Sequence, residues 1–321
     1  MDSRKWALSY ALLAPSAHNR QPWLIGLTGE DTVTLWRDRT RELPHTDPFQ
    51  RQLVISLGCF LEQMQIAAAE KRVGVRFDIY PDGEDGPVAV AVFEPGAARQ
   101  DSLFTAILDR RTCKQAFTDQ PLVADAAEKL QQHATLVLDP HRVARLKQIV
   151  WQAWRTEAFH SPSWTESADL MRFGKTEINA NPDGINLSGP FLEGLMLVGI
   201  LTRAAQKDTN SSIFQKTIAM YEDMLRATPA YAVLTTPGND RLDQIAAGRR
   251  WLRLHLAATT LGVSLHPVSQ SLQEYPEMAE HYGAVHNMLA KGGETVQMLG
   301  RLGYGLAMSR SPRWPLESRF V

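Results

Sequence analysis

The segment "RRTCKQAF", Arg110 to Phe117, concentrates more potential chemistry than any other stretch of the chain. Arg110, Thr112 and Lys114 alternate, so an extended backbone turns all three to one side. Guanidinium forks beside a hydroxyl suit a phosphate monoester, with Arg111 close by. The alternative is a solvated helix end whose cations answer the helix dipole. A second basic motif, "RSPRWP" (Arg310 to Pro315), holds Arg313 stiffly between prolines. It could complete the same phosphate site or belong to a surface tail. The third motif is "APSAHNRQPW", Ala14 to Trp23. Pro15 makes the turn rigid, and Ser16, Asn19 and Gln21 offer donors and acceptors suited to the edge of a polar ring such as an isoalloxazine. The alternative is a turn bonded to itself that leads into a strand.

Other chemistries lack their residues. "FGKT" (Phe173 to Thr176) has Asp169 where a phosphate loop needs its first glycine, and "GRLGYG" lacks dinucleotide spacing. There is no HExxH or Cys/His metal set and no nucleophile elbow. His18, His255 and His266 stand alone and read as structural. No metal site and no catalytic side chain is expected. The two cysteines, Cys59 and Cys113, point to a reducing compartment. A net charge of −1 favours neither nucleic acid nor an anionic membrane. Trp6 to Pro15 is too short to span a bilayer and has no cleavage site. The expectation is a cytoplasmic protein, 44% hydrophobic and 21% charged.

The elements that must position these residues follow from periodicity and caps. A helix from Asp2 or Ser3 ends before Pro15. "WLIGLT" and "TVTLW" form a hairpin around "GED". Asp47 as N-cap with Pro48 at the first helical position opens a helix that stops at Gly74. "VRFDIY" and "VAVAVF" are strands. Helices are expected over 101–111, 123–133, 141–159, 190–206, 212–226, 240–261 and 274–290. Strands are expected at "AYAVLTT", "VSLHPV" and "TVQMLGRLGYG". Residues 161–190 show poor periodicity and read as a structureless functional lid or a mobile insertion. "AEKRVGV" (Ala69 to Val75) and "AATTLGV" (Ala257 to Val263) both end a long helix at Gly before a strand, a hint of two related halves.

Together, "APSAHNRQPW", "RRTCKQAF", "AATTLGVSLHPV" and "RLGYG…SPRWPL" resemble the FMN-dependent nitroreductase family, and more closely its single-chain, Acg-like branch. The resemblance implies an α+β nitroreductase-like fold, an antiparallel-dominated sheet flanked by helices. It also implies an intramolecular pseudo-dimer of two halves, 1–97 and 98–321, with a lid at 161–190. One FMN per chain would lie between the halves, so a monomer would suffice. Arg110, Thr112 and Arg313 would hold its phosphate. Lys114 would lie near the pyrimidine edge or ribityl chain, with Arg111 close by. Pro15, Ser16, Asn19 and Gln21 would face the ring from the first half. Pro267, Ser269 and Gln270 would pass the flavin N5, where a backbone N–H of Ser269 or Gln270 would donate. Two positions depart from the family: Ser311 replaces a lysine, with Arg310 as substitute, and Ser269-Gln270 replaces Glu-Gly. The implied activity is hydride passage from NAD(P)H through the flavin to a small nitro or quinone acceptor. The alternative is a flavin-sequestering or storage protein with its lid closed and little turnover.

Overall fold

The computed structural model describes residues 2–321. The first half runs α1 (Ser3–Ala11), β1 (Trp23–Thr28), β2 (Thr32–Arg37), α2 (Arg51–Glu70), β3 (Val73–Ile79) and β4 (Ala89–Pro95). The Asp2 carboxylate caps α1 by accepting the Arg4 N–H at 2.8 Å. The start of α2 differs from the sequence expectation. It begins at Arg51 rather than Pro48, and Asp47 serves it from a distance, accepting the N–H groups of Gln52 and Leu53 at 3.1 and 3.0 Å. Residues 47–50 form a turn, with Gln50 in the left-handed region at φ 62°.

The second half runs α3 (Ala124–Gln131), β5 (Thr135–Val137), α4 (Pro140–Phe159), α5 (Ser161–Asp169), β6 (Met171–Phe173), α6 (Gly174–Ala180), β7 (Ile185–Leu187), α7 (Pro190–Leu197), α8 (Arg203–Lys207), α9 (Ser212–Arg226), β8 (Ala230–Thr236), α10 (Arg241–Thr260), β9 (Ser264–Pro267), α11 (Ala279–Leu289) and β10 (Thr295–Gly303). Three expected helices change form. Residues 102–106 make only a 3-10 turn, capped by Asp101. The 190–206 stretch breaks into α7 and α8 around Gly199, which sits at φ 71°. The helix expected over 274–290 forms only from Ala279, behind a 3-10 turn at Pro276–Met278. Residues 161–190 are not structureless. They fold into α5, β6, α6 and β7, and Trp164, Ser163, Ser167 and Ala168 are buried there.

Two four-stranded antiparallel sheets organise the chain, in the orders β1-β2-β4-β3 and β5-β8-β10-β9. Each half therefore lays its strands down in the same spatial sequence. The halves differ in their connections: β1 and β2 join through residues 29–31, whereas 138–229, all the helices from α4 to α9, intervene between β5 and β8. They also differ before the first strand. Residues 12–22 join α1 to β1, but only 132–134 join α3 to β5. The opening loop thus has no counterpart in the second half.

Burial explains the strand sequences. On β8, Ala230, Ala232 and Leu234 face the core shared with α2 and α10, while Tyr231 and Val233 face a second core against α4 and α9. Coverage on both faces makes "AYAVLTT" almost uniformly apolar. On β4, buried Ala89, Ala91 and Phe93 alternate with more accessible neighbours, because the first sheet is covered more fully on one face.

The centre of the molecule is the crossing of α2 and α10, which share the main core. A Cβ added at Gly58 would lie 2.3 Å from the Ile245 carbonyl oxygen, and one at Gly248 would lie 2.0 Å from that of Ile55. The two contacts are reciprocal: residues 55 and 58 of one helix meet 248 and 245 of the other. Cys59 Sγ also donates to the Gly248 carbonyl at 3.1 Å. The α2 helix is long and apolar enough to cross a membrane by composition, but 89% of its apolar window is buried inside the fold. Gly248→Ala should destabilise the protein by about 1–3 kcal/mol through overpacking against backbone. Urea unfolding midpoints would check this, and an unchanged midpoint would show that the helices can separate without loss.

Candidate active site

The opening loop is strained. His18, Asn19 and Gln21 occupy the left-handed region, with φ of 45°, 53° and 52°. Such conformations cost about 1–3 kcal/mol each in non-glycine residues and persist where surroundings impose them. Here the imposing partner is the C-terminal tail. Gln21 is fully buried; its side-chain oxygen accepts the Trp314 N–H at 2.9 Å and its amide donates to the Pro182 carbonyl at 2.7 Å. The Ser16 hydroxyl accepts the Gln21 N–H at 3.0 Å. Asn19 accepts from Arg313 at 2.9 Å and donates to the Pro312 carbonyl at 3.3 Å. The amides of Gln21 and Asn19 are therefore occupied within the chain. Pro15 and Ser16 remain half-buried at the loop surface.

Arg313 reaches this loop, and apart from Asn19 its contacts are to backbone. Its guanidinium donates to the carbonyls of Leu12, Leu13 and Ala14 at 2.8, 3.1 and 3.0 Å, closing the carboxyl end of α1. Arg110 comes from the other basic motif and donates to the same Leu13 carbonyl at 2.9 Å. Arg111 and Arg310 likewise share the Leu108 carbonyl, at 2.9 and 2.8 Å. Within the described residues, Arg110, Arg111, Arg310 and Arg313 form no ion pair with a carboxylate. Desolvation, then the neighbouring guanidinium charges of Arg110 and Arg111, push Arg313 down to about 9. Burial pushes Arg110 down to about 10. The Nε of Arg110 is sealed from solvent and has no partner among the described residues. Four guanidinium groups converging without an anion form a site that lacks its counter-charge.

His255, on α10, orients this cluster. Its Nε2 lies 2.9 Å from the Arg111 carbonyl and its Nδ1 3.5 Å from Arg110. Burial and the Arg110 charge lower its pKa to about 3, so the imidazole is neutral and donates through Nε2. Thr112 bridges Leu265 in parallel beside β9, so the basic motif is extended there. Lys114 makes no hydrogen bond or ion pair among the described residues. Its surface is accessible, yet desolvation alone lowers its pKa. The Cys113 N–H bonds to the Leu265 carbonyl, which sets the neighbouring Lys114 beside β9. Burial, then the charges of Lys114 and Arg20, lower the His18 pKa to about 4.

The third predicted element lies on the β9 side. Val268 N–H bonds to the Leu299 carbonyl, but the N–H groups of Ser269 and Gln270 find no acceptor among the described residues. Pro267 is the last residue of β9 and half-buried. Below this turn lies Glu157 of α4, a buried carboxyl that accepts from Gln273 at 2.8 Å and Ser167 at 3.3 Å, with the Gln270 side chain also in reach. Burial raises its pKa to about 7.

The 161–190 segment docks on the opening loop. Asp183 accepts from Arg172 at 2.7 Å, from Arg41 of the first half at 2.8 Å, and from Trp314 Nε1 of the tail at 3.4 Å. Arg172 and Trp314 lower the Asp183 pKa against the desolvation that would raise it. The Arg41 and Arg319 guanidinium groups stack on the Trp314 ring at 5.4 and 5.5 Å. The 161–190 segment, the opening loop and the tail thus form one charged clasp. Its Asp183 carried no sequence signal, because its partners lie 11 to 142 residues away.

No protein-family model matches the chain. It is 25% identical over 309 residues to "Putative NAD(P)H nitroreductase Rv3131" of Mycobacterium tuberculosis, spanning 92% of this chain and 83% of that one. It is 32% identical over 129 residues to "Putative NAD(P)H nitroreductase acg" of the same organism, 37% of each. These relatives carry the nitroreductase name, Acg among them, in line with the family that the sequence motifs resemble. Among solved structures, the chain overlaps the FMN-dependent nitroreductase NfnB from Mycobacterium smegmatis in complex with NADPH at a TM-score of 0.41 and 17% identity, over 66% of this chain and 94% of that one. An overlap that loose fixes no residue of the site.

Glu157 makes the stability of this protein depend on pH. Its folded pKa is raised from the ordinary 4.5 to about 7. The carboxyl's contribution is therefore fully present below pH 4.5 and is lost as pH rises through 7. Glu157→Gln should flatten the fall in urea midpoint between pH 5 and 8. The raised carboxyl of Asp47 is common to both proteins and cancels in the comparison. Parallel curves for wild type and variant would contradict the assignment.

Proposed function

We propose that this chain holds one FMN between its halves, 1–97 and 98–321, and works as an NAD(P)H-dependent oxidoreductase on small nitro or quinone acceptors. The carrying observation is the set of four guanidinium groups without a carboxylate, together with the partnerless buried Nε of Arg110. A phosphate monoester supplies the charge and acceptors this cluster lacks. Arg110, Arg111 and the Thr112 hydroxyl would hold it. Arg310, already beside Arg111 at the Leu108 carbonyl, would stand in for the family lysine replaced by Ser311. Arg313 would contribute charge while its hydrogen bonds anchor α1. Lys114, free of protein partners, would face the polar edge of the ring, with Pro15 and Ser16 on the opposite wall. The unpaired N–H of Ser269 or Gln270 would donate at N5. FMN, when bound, supplies the hydride-accepting and hydride-donating centre. The names of the M. tuberculosis relatives support a nicotinamide donor.

A second reading, flavin sequestration with little turnover, is favoured by one observation. The Asp183 clasp ties the 161–190 segment to both the opening loop and the tail. One experiment tests both readings. Wild type and Lys114→Met are titrated with FMN, then given NADPH or NADH anaerobically. Lys114→Met should keep its folded stability and bind FMN at least tenfold more weakly, the loss of one charge-assisted hydrogen bond worth about 1.5–3 kcal/mol. Prompt bleaching of the wild-type flavin band supports the oxidoreductase, and persistence of the band supports sequestration. Equal FMN affinity in the two proteins would contradict the placing of Lys114 at the cofactor.

A further inference from the structure

Arg301 of β10 is completely buried and has no carboxylate partner among the described residues. All its contacts are neutral. Its Nε donates to the Thr228 hydroxyl at 2.7 Å, one terminal nitrogen donates to the carbonyls of Gln115 and Ala227 at 3.2 and 3.3 Å, and the guanidinium lies 4.3 Å from the centre of the Phe117 ring. The other terminal nitrogen lies 3.1 Å from Nδ1 of His266, its cross-strand neighbour on β9. Burying an isolated charge this way is costly, and an apolar side chain would give a more stable core. Position 301 therefore keeps its charge for a reason other than stability.

The His266 tautomer follows from donor chemistry. A guanidinium only donates, so Nδ1 must accept and the proton must sit on Nε2. Burial, then the charges of Arg301 and Lys114, hold the imidazole neutral. Its Nε2 has no partner among the described residues and is not sealed from solvent. Thr112 bridges Leu265, the residue before His266, and the Cys113 N–H bonds to the Leu265 carbonyl, so Lys114 follows directly beside His266 on β9.

We propose that Arg301 and His266 form a positively polarised floor beside Lys114, with His266 Nε2–H as a fixed donor that favours negative charge on the ring edge bound there. The inference rests on the FMN reading and deepens it. A floor of this kind binds the reduced, negatively charged ring more tightly than the oxidised one. His266 then acts as a residue that sets the cofactor's potential, with Arg301 positioning it.

The test is the two-electron midpoint potential of the FMN-loaded protein, read against a reference dye, for wild type, His266→Phe and His266→Gln. Neither variant removes the contacts of Arg301 to residues 115, 227 and 228. His266→Phe should weaken the preference for reduced over oxidised flavin at least tenfold, a fall of about 30 mV at 29.6 mV per tenfold for two electrons. His266→Gln, which restores an amide donor, should recover part of the fall. An unchanged potential in a folded, flavin-bound His266→Phe overturns the inference and leaves the FMN reading standing. Failure of wild type to take up FMN overturns both. If the variants do not fold, the wild-type tautomer decides: long-range 1H–15N NMR should show the proton on Nε2 and a shift there when the bound flavin is reduced. A proton on Nδ1, or an Nε2 signal indifferent to reduction, overturns the inference.

Discussion

Two glycines set 190 residues apart let the long helices of the two halves touch backbone to backbone. Everything else in the molecule is arranged around that crossing. Because Gly58 and Gly248 meet reciprocally, the halves share one core and cannot be treated as neighbours on a linker. The crossing also fixes which ends face each other. The carboxyl end of α1 and the opening loop come from the first half, while the basic segment and β9 come from the second. They meet on one side of the helix pair, and the tail closes the join by running on to β1, where Phe320 bridges Ile25. The related strand orders of the sheets make the chain a pseudo-dimer in topology, but only one half carries an opening loop.

The site formed at this junction is unbalanced in charge. Guanidinium groups that would repel one another are held together by backbone carbonyls, Leu13 for one pair and Leu108 for the other. Carbonyls orient a cation without neutralising it, which leaves the site ready for an anion. The same economy recurs deeper in the fold, where Arg301 is satisfied by neutral acceptors alone. The acidic side of the account is at the clasp, where Asp183 gathers Arg41 and Arg172. The protein thus separates a neutralised region that ties residues 161–190 to the loop and tail from an unneutralised one at the basic segment.

Much of this was legible in the sequence. Alternating cations after a short helical stretch, prolines around a polar loop, and helix–Gly–strand echoes each have local causes, and local causes can be read from one chain. The roles of Asn19 and Gln21 could not be read that way. Their amides look free in sequence, but their partners Arg313 and Trp314 come 293 or more residues later. Residues 161–190 lack helical periodicity because their elements are short and held by distant charges, so poor periodicity there did not mean disorder. Pro48 after Asp47 imitates a helix start, yet the Asp47 side chain reaches forward to Gln52 and Leu53 and the helix waits until Arg51. His266 reads as a lone histidine because the arginine that fixes its tautomer is a cross-strand neighbour, not a sequence neighbour.

The central claim is that one cofactor site is assembled from two unlike halves. The most direct test is stoichiometry. The purified chain is incubated with excess FMN and desalted exhaustively, and flavin absorbance is compared with protein content from amino-acid analysis. The account predicts one FMN per chain, since only the first half supplies an opening loop and only the second supplies the basic segment. Two per chain would mean that the halves are equivalent after all, and none would mean that the unpaired guanidinium groups await a different anion.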